Sequence, residues 1–257
     1  MCLIVFSISK KTDSIDTDSE FSITLMANRD EYYERPTTSI DWWDDKPILA
    51  GKDLLAGGTW LGVNKNGRFA ALTNYKEDGE QKTYELSRGK LITDYLESDS
   101  CTGPDYLSSL EGESFAGFNL LVSDEEAVHS YSNRKEGIIT LTEGVHALGN
   151  RFLNSKTEKV NKIKEDFKEH QNRPYSLDSA FNMMSEDSGN LESETKEDLI
   201  KRDYEEIPYR FIRSKFYGTR CTTLLTIDSS KRISVSEQNY LEGGVLGERK
   251  GFNFSAT

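Results

Sequence analysis

Short apolar segments, most of them too short to be helices, recur along the chain. Cys2–Ile8 and Phe21–Ala27 are rich in Ile, Val, Leu and Phe and are separated by a polar, acidic loop. Residues of these types favour strands, so the pair predicts an opening hairpin. The remaining predicted strands are Trp60–Asn64, Arg68–Asn74, Phe118–Ser123, Ala127–Ser132, Gly137–Thr142, Val145–Leu148, Thr222–Ile227 and Ile233–Glu237.

Turn residues indicate how these strands connect. Asn66-Gly67, between the strands ending at Asn64 and beginning at Arg68, is a strong hairpin signal. Short polar turns between Phe118 and Leu148 predict a four-stranded meander, and the last two strands predict a late hairpin.

Helical periodicity occupies the intervening segments. Ser155–Glu158 has the pattern of a capping box, and the apolar residues after it recur on one helical face. Two more helices are predicted, one from about Ser87 and one around Phe181. The apolar residues of the three helices are Val160, Ile163 and Phe167; Leu91, Ile92, Tyr95 and Leu96; and Leu177, Ala180, Phe181 and Met184. Strands at both ends with helices between them predict an α+β fold of antiparallel sheets covered by helices.

Length and composition favour one domain spanning residues 1–257. A chain of 257 residues buries roughly three quarters of its unfolded surface, so it folds without disulfides. Segment 186–206 is acidic and poor in apolar residues, and we expect it to be an exposed helical excursion.

Charge and cysteine usage narrow the range of partners. The chain has 32 Lys and Arg against 44 Asp and Glu, a net charge of −12, which disfavours nucleic acids and anionic membranes. The widely spaced Cys2, Cys101 and Cys221 form no zinc or disulfide pattern. We find no signal peptide or transmembrane segment and expect a cytoplasmic protein with a small-molecule partner. The oligomeric state is not indicated.

Cys2 is the first candidate for chemistry. Removal of Met1 would leave a thiol and a free α-amine on one residue, and an amine with a pKa of about 7.7–8.0 can act as a general base. A small buried hydrophobe at the start of a strand would have the same sequence.

Further candidates lie at strand ends. Asn28, Arg29, Asp30 and Glu31 end the second strand, where a guanidinium could favour a thiolate. Asn74 and Asn150 end strands and could donate to an oxyanion, and Arg220 precedes a late strand. Each of these residue types is also common in turns.

These residues carry a resemblance to a known family. MCLIVF, ANRDEYYERPT, AGGTWLGVNKNGRFAALTNY, SRGKL, LGN and YGTRCTTLL occur in order from Met1 to about Ile227. They resemble the NRDE family, relatives of transport and Golgi organisation protein 2, which is similar in turn to cysteine N-terminal-nucleophile hydrolases. The resemblance implies a four-layer αββα sandwich and amide hydrolysis without a cofactor. It also implies Cys2 as nucleophile, Asn74 and Asn150 as oxyanion-side amides, and Arg220 as a site arginine.

One part of the hydrolase pattern aligns in two ways. Those enzymes carry an Arg and an Asp three residues apart after the second strand. Matching Glu31 to the acid places Asn28 at the arginine position, whereas matching Arg29 to the arginine places Tyr32 at the acid position.

The family resemblance also implies an alternative function, a carrier of haem or of acyl lipids and acyl-CoA. The sequence has no haem attachment motif, so His146, which precedes Asn150 by four residues, is the histidine expected nearest the site. Trp60 and Tyr75 are expected to line an apolar pocket, and Arg88, at the start of a predicted helix, to receive a carboxylate or phosphate.

Overall fold

The computed structural model describes residues 2–10, 21–77, 84–98, 100–172, 176–186, 188–190 and 209–257. Its strands are β1 (Cys2–Lys10), β2 (Phe21–Tyr32), β3 (Thr37–Trp42), β4 (Ile48–Asp53), β5 (Leu61–Asn64), β6 (Phe69–Asn74), β7 (Phe118–Ser123), β8 (Val128–Ser132), β9 (Lys135–Thr140), β10 (Gly144–Leu148), β11 (Ser188–Asn190), β12 (Phe211–Arg213), β13 (Tyr217–Ile227), β14 (Arg232–Tyr240) and β15 (Leu246–Ser255). Its α-helices are α1 (Gly89–Glu97), α2 (Gly103–Ser108), α3 (Glu158–Gln171) and α4 (Leu177–Ser185), and short 3-10 helices occupy Gly112–Ser114 and Glu242–Gly244.

The strands form two sheets. The first has the order β10-β1-β2-β13-β14-β15, and β12 and β11 extend it beside the start of β13. The second has the order β3-β4-β5-β6-β7-β8-β9. Every strand pairing among the described residues is antiparallel except the short β11–β12 pair, which is parallel. The opening hairpin is therefore confirmed, since β1 pairs with β2 over its whole length.

Alternating side chains of β1 divide the core into layers. Ile4 and Phe6 belong to the cluster between the two sheets, whereas Leu3 and Val5 belong to a cluster with α3 and α4. On the other side, α1 and α2 pack against the outer face of the second sheet. The first half of β1 is covered on both faces, and its residues from Cys2 to Phe6 form a continuous apolar run. The layers are helix, sheet, sheet and helix, which confirms the four-layer αββα architecture.

Several local predictions require correction. The segment at Val145–Leu148 leaves the meander, because β10 pairs with β1 in the other sheet. The N-cap of α3 is Thr157, whose hydroxyl accepts a hydrogen bond from the Val160 N–H, and not the predicted Ser155. Strands β3, β4 and β15 and helix α2 were not predicted, because their sequences are short or largely polar.

The acidic excursion predicted at 186–206 lies largely outside the described residues. Glu186 is the C-cap of α4, and 188–190 form β11. None of the described helices is long and apolar enough to cross a membrane.

Asn28 holds the helical layer onto the first sheet. Its amide donates to the carbonyls of Met184 at 3.1 Å and Arg210 at 2.7 Å, and its carbonyl oxygen accepts from the Thr222 hydroxyl at 2.6 Å. The side chain is fully buried. It therefore satisfies polar groups that have no access to water.

Asn28→Ala should lower the free energy of unfolding by about 2–4 kcal/mol, because it leaves buried carbonyls without a donor. Urea unfolding followed by circular dichroism measures the change. The matched control is Asn253→Ala on the exposed face of β15, which should shift stability by no more than about 0.5 kcal/mol. Equal stability of the two variants would contradict a structural role for Asn28.

Candidate active site

The register of the first sheet places Arg29 beside Cys2. Cys2 on β1 pairs with Arg29 on β2, and Arg29 pairs in turn with Cys221 on β13. Directly paired residues of antiparallel strands project from the same face. Leu3 pairs with Asn28, so Asn28 projects from the opposite face, toward the helices. In this structure the arginine next to Cys2 is Arg29.

A pocket of about 570 Å³ opens beside Cys2. It lies between the ends of β1 and β2, the loop after β4 and the segment that leads into α1. Its lining includes seven residues that the sequence singled out, which are Cys2, Arg29, Asp30, Glu31, Trp60, Asn74 and Arg88. Residues that the sequence did not single out also line it, namely Arg35, Asp53, Ala56, Gly58, Thr59, Leu72, Tyr84, Glu85, Leu86, Ser87, Gly89 and Ala116.

Two glycines allow one wall of the pocket to form. A Cβ on Gly58 would lie 2.5 Å from the carbonyl carbon of Gly89, which leaves no room for a side chain at Gly58, and a Cβ on Gly89 would lie 3.0 Å from the Thr59 backbone. Gly51 plays a similar part for Trp60, because a Cβ there would lie 2.4 Å from the indole ring. The glycines of the AGGTW and SRG blocks therefore bring their backbones together at the pocket.

A cluster of opposite charges occupies the floor of the pocket. The Arg35 Nε donates to the Asp53 carboxylate at 2.8 Å, and the Arg29 Nη2 lies 3.7 Å from Glu31 and 3.9 Å from Asp53. The Arg29 guanidinium also stacks on Trp60, 4.3 Å from the ring centroid, and donates to the Thr37 hydroxyl. Each of these two arginines is therefore matched by carboxylates.

Burial governs the ionisation of the central groups. Burial raises the pKa of the Cys2 thiol above its ordinary value, because it disfavours the thiolate. Burial also raises the pKa of Asp30, whose carboxylate accepts a hydrogen bond from the Thr219 hydroxyl at 2.7 Å. The neighbouring charges do not overcome the cost of transferring the Cys2 thiolate out of water.

Asn74 and Asn150 meet at the end of β6. Asn74 lines the pocket, and the Asn150 side-chain amide donates to the Asn74 backbone carbonyl at 2.7 Å. The Asn150 carbonyl accepts from the Lys76 N–H at 2.9 Å. Asn150 is thus positioned behind Asn74 and is not part of the lining.

Four other candidate residues also lie outside the lining, each with contacts of its own. Arg220 donates to the carbonyls of Tyr32, Tyr33 and Arg35 and so holds the turn after β2. Asn28 faces the helices, and Tyr75 packs on Phe152 with ring centroids 4.9 Å apart. His146 pairs with Phe6, four residues along β1 from Cys2, a distance of about 13 Å along the strand.

The described residues contain no group of three or more His, Cys, Asp or Glu side chains arranged to hold a metal ion. The lining residues carry a thiol, an amide, guanidinium groups, carboxylates and the hydroxyl groups of Thr59, Tyr84 and Ser87.

Comparison with known proteins identifies the family. The family model Transport and Golgi organisation 2 matches residues 1–242. The chain belongs to this family. The Transport and Golgi organization 2 homolog of Mus musculus is 30% identical over 264 aligned positions, which cover 94% of each chain. The human homolog has the same identity and coverage.

More distant members and one solved structure are also similar. Transport and Golgi organization protein 2 of Drosophila melanogaster is 27% identical over 65% of this chain and 64% of its own length. Among solved structures, the Caenorhabditis elegans ortholog of N-acylethanolamine-hydrolyzing acid amidase is 11% identical, with a TM-score of 0.46. The alignment covers 87% of this chain and 92% of that chain.

Gly58→Ala should destabilise this family member by about 1–3 kcal/mol, because the new methyl group would push apart the two backbones that form the pocket wall. Urea unfolding provides the measurement. Gly251→Ala is the control, since a Cβ there comes no closer than 3.4 Å to another side chain. A Gly58 variant as stable as the Gly251 variant would show that this contact is readily relieved.

The pH dependence of alkylation should report the environment of Cys2. In the chain that retains Met1, the rate of iodoacetamide modification at Cys2 should reach half its plateau at a higher pH than for free cysteine, because burial raises the pKa of the thiol. Peptide mapping by mass spectrometry locates the adduct, and the Cys2→Ser variant provides the blank. A midpoint at or below that of free cysteine would mean that the neighbouring cations outweigh burial.

Proposed function

We propose that the protein is a cysteine N-terminal-nucleophile amidohydrolase and that the pocket beside Cys2 is its active site. The observation that carries this proposal is the position of Cys2, at the start of β1 and on the wall of a pocket that also contains the Asn74 amide. The substrate class we favour is a linear amide, since apolar residues such as Leu72, Leu86 and Ala116 share the lining with polar groups.

The raised pKa of Cys2 argues that its thiol needs a base. The Arg29 guanidinium is already matched by Glu31 and Asp53, so it does not supply a preformed thiolate. In the proposed mature protein, Met1 has been removed and the α-amine belongs to Cys2 itself. That amine titrates near neutral pH and accepts the thiol proton as the sulfur attacks.

The proposed reaction proceeds through a thioester. The Cys2 sulfur bonds to the amide carbon, and the Asn74 side chain donates to the oxygen that becomes negative. The sequence led us to expect that both amides contact the oxyanion. In this proposal Asn150 instead positions Asn74, because its side-chain amide donates to the Asn74 backbone carbonyl at the end of β6. The protonated α-amine gives its proton to the leaving amine as the C–N bond breaks. Water then hydrolyses the thioester, releasing the acid and restoring the thiol.

A haem or acyl-lipid carrier is the second candidate function. The pocket supports it because its lining contains two side chains of types that bind haem iron, the Cys2 thiol and the Tyr84 phenol, whereas His146 lies farther along β1. A carrier of this kind would bind its cargo without forming a covalent intermediate at Cys2.

Turnover should distinguish the two functions. With fluorogenic amides of straight-chain fatty acids as substrates, Cys2→Ala should abolish hydrolysis, whereas Cys101→Ala, which alters a cysteine outside the pocket lining, should retain wild-type rates. The intact mass should also show the loss of Met1 in the active preparation. Hydrolysis retained by Cys2→Ala, or confined to protein that keeps Met1, would overturn the proposed mechanism.

A further inference from the structure

Arg88 differs from the other arginines of the pocket in its partners. Arg29 and Arg35 each lie within 4 Å of the carboxylates of Glu31 and Asp53. Among the residues that the structure describes, Arg88 has no carboxylate at ion-pair distance. Its Nη1 donates a hydrogen bond to the Gly117 carbonyl at 2.9 Å. Arg88 is therefore a partly buried cation in the pocket wall that forms no ion pair with a described residue.

The hydrogen bond to Gly117 orients the guanidinium. An arginine has five N–H donors in a planar fork, and the edge formed by Nε and Nη2 matches the two oxygens of a carboxylate. Nη1 donates to Gly117 and the Nε–Nη2 edge has no acceptor among the described residues, so that edge can bind a ligand. Arg88 directly precedes Gly89, whose backbone packs against Gly58, so its main chain is also fixed.

The other charges near Arg88 have partners of their own. Arg29 and Arg35 balance Glu31 and Asp53, and Glu77, whose charge also acts on Arg88, pairs with Arg134. The Asp30 carboxylate accepts a hydrogen bond from the Thr219 hydroxyl. Glu85, which also belongs to the lining, is exposed. A partly desolvated guanidinium is stabilised when an anionic ligand replaces the water it has lost.

We infer that Arg88 is a specificity residue that binds a carboxylate of the substrate, so that the preferred substrates are amides that carry a second, anionic group. This inference rests on the proposed amidohydrolase function and narrows its substrate class. Arg88 is not required for attack by Cys2, so its loss should affect the choice of substrate more than the chemical step.

Two matched pairs of amides test the inference. In N-octanoylglycine and its methyl ester, the carboxylate or its neutral counterpart lies on the amine side. In the mono-p-nitroanilide of suberic acid and its methyl ester, it lies at the far end of the acyl chain. The wild-type protein should prefer the acid of at least one pair. Arg88→Gln should lower kcat/KM for that acid roughly ten- to a hundredfold, mostly through KM, and change kcat/KM for the ester less than about twofold.

Two further variants separate recognition from folding. Arg88→Lys keeps the charge but loses the planar fork, so it should restore part of the preference for the acid. Lys90→Gln, on the same helix, removes an exposed cation that is paired with Asp94 and should leave both substrates unaffected. An equal loss for acid and ester in Arg88→Gln, or a wild-type protein indifferent to the carboxylate, would overturn the inference and leave the proposed function standing.

Binding measurements distinguish a failure of this inference from a failure of the proposed amidohydrolase function. Isothermal titration of the acids and esters into the Cys2→Ala variant, with and without Arg88→Gln, needs no turnover. If the wild type hydrolyses neither pair but the acid binds more tightly through Arg88, the anion site stands and the amidohydrolase proposal falls. If acid and ester bind equally, the anion site falls.

Discussion

The antiparallel pairing of β1 with β2 determines which side chains face the pocket. In the observed register Cys2 and Arg29 share the face between the sheets, whereas Leu3 and Asn28 share the face under the helices. A slip by one residue would exchange these faces. Because both faces of β1 are apolar, hydrophobic burial alone discriminates weakly between the two arrangements. The polar residues of β2 supply the discrimination, since a slipped strand would bury the Arg29 guanidinium under the helices, away from the Asp53 carboxylate.

This register gives a physical meaning to the Asn-Arg-Asp-Glu sequence. Side chains alternate along β2, so Arg29 and Glu31 face the pocket and contact each other. Asn28 and Asp30 project the other way, where Asn28 bonds to Met184 and Arg210 and Asp30 accepts from Thr219. One short segment therefore attaches the helical layer and also builds the charged floor of the pocket. The same alternation places Arg29, and not Asn28, next to Cys2.

The sequence predicted those parts of the fold that depend on local pattern. The opening hairpin, the αββα architecture and three of the helices follow from apolar runs, helical periodicity and family resemblance. The sheet membership of β10 does not follow from such patterns, because the turn before Gly144 permits continuation of the meander as well as a crossing to β1.

Local sequence patterns also fail to predict parts of the pocket. Arg35 and Asp53 come from segments whose sequences resemble ordinary turns, and only the tertiary fold brings Asp53 to Arg29. His146 precedes Asn150 by four residues, yet β10 extends away from the pocket, so His146 pairs with Phe6 and lies outside the lining.

The balance of charge in the pocket bears on how a thiol there could react. A lone guanidinium beside Cys2 would favour the thiolate, but Arg29 is matched by two carboxylates and the cluster as a whole contributes little positive potential. Desolvation then dominates and keeps the thiol protonated. A nucleophile in this setting needs a base that is uncharged before the reaction and becomes a cation when it accepts the thiol proton. The buried thiolate then forms only beside this cation, as the sulfur attacks. A neutral amine on the same residue meets that requirement, and it needs no other side chain to be moved into place.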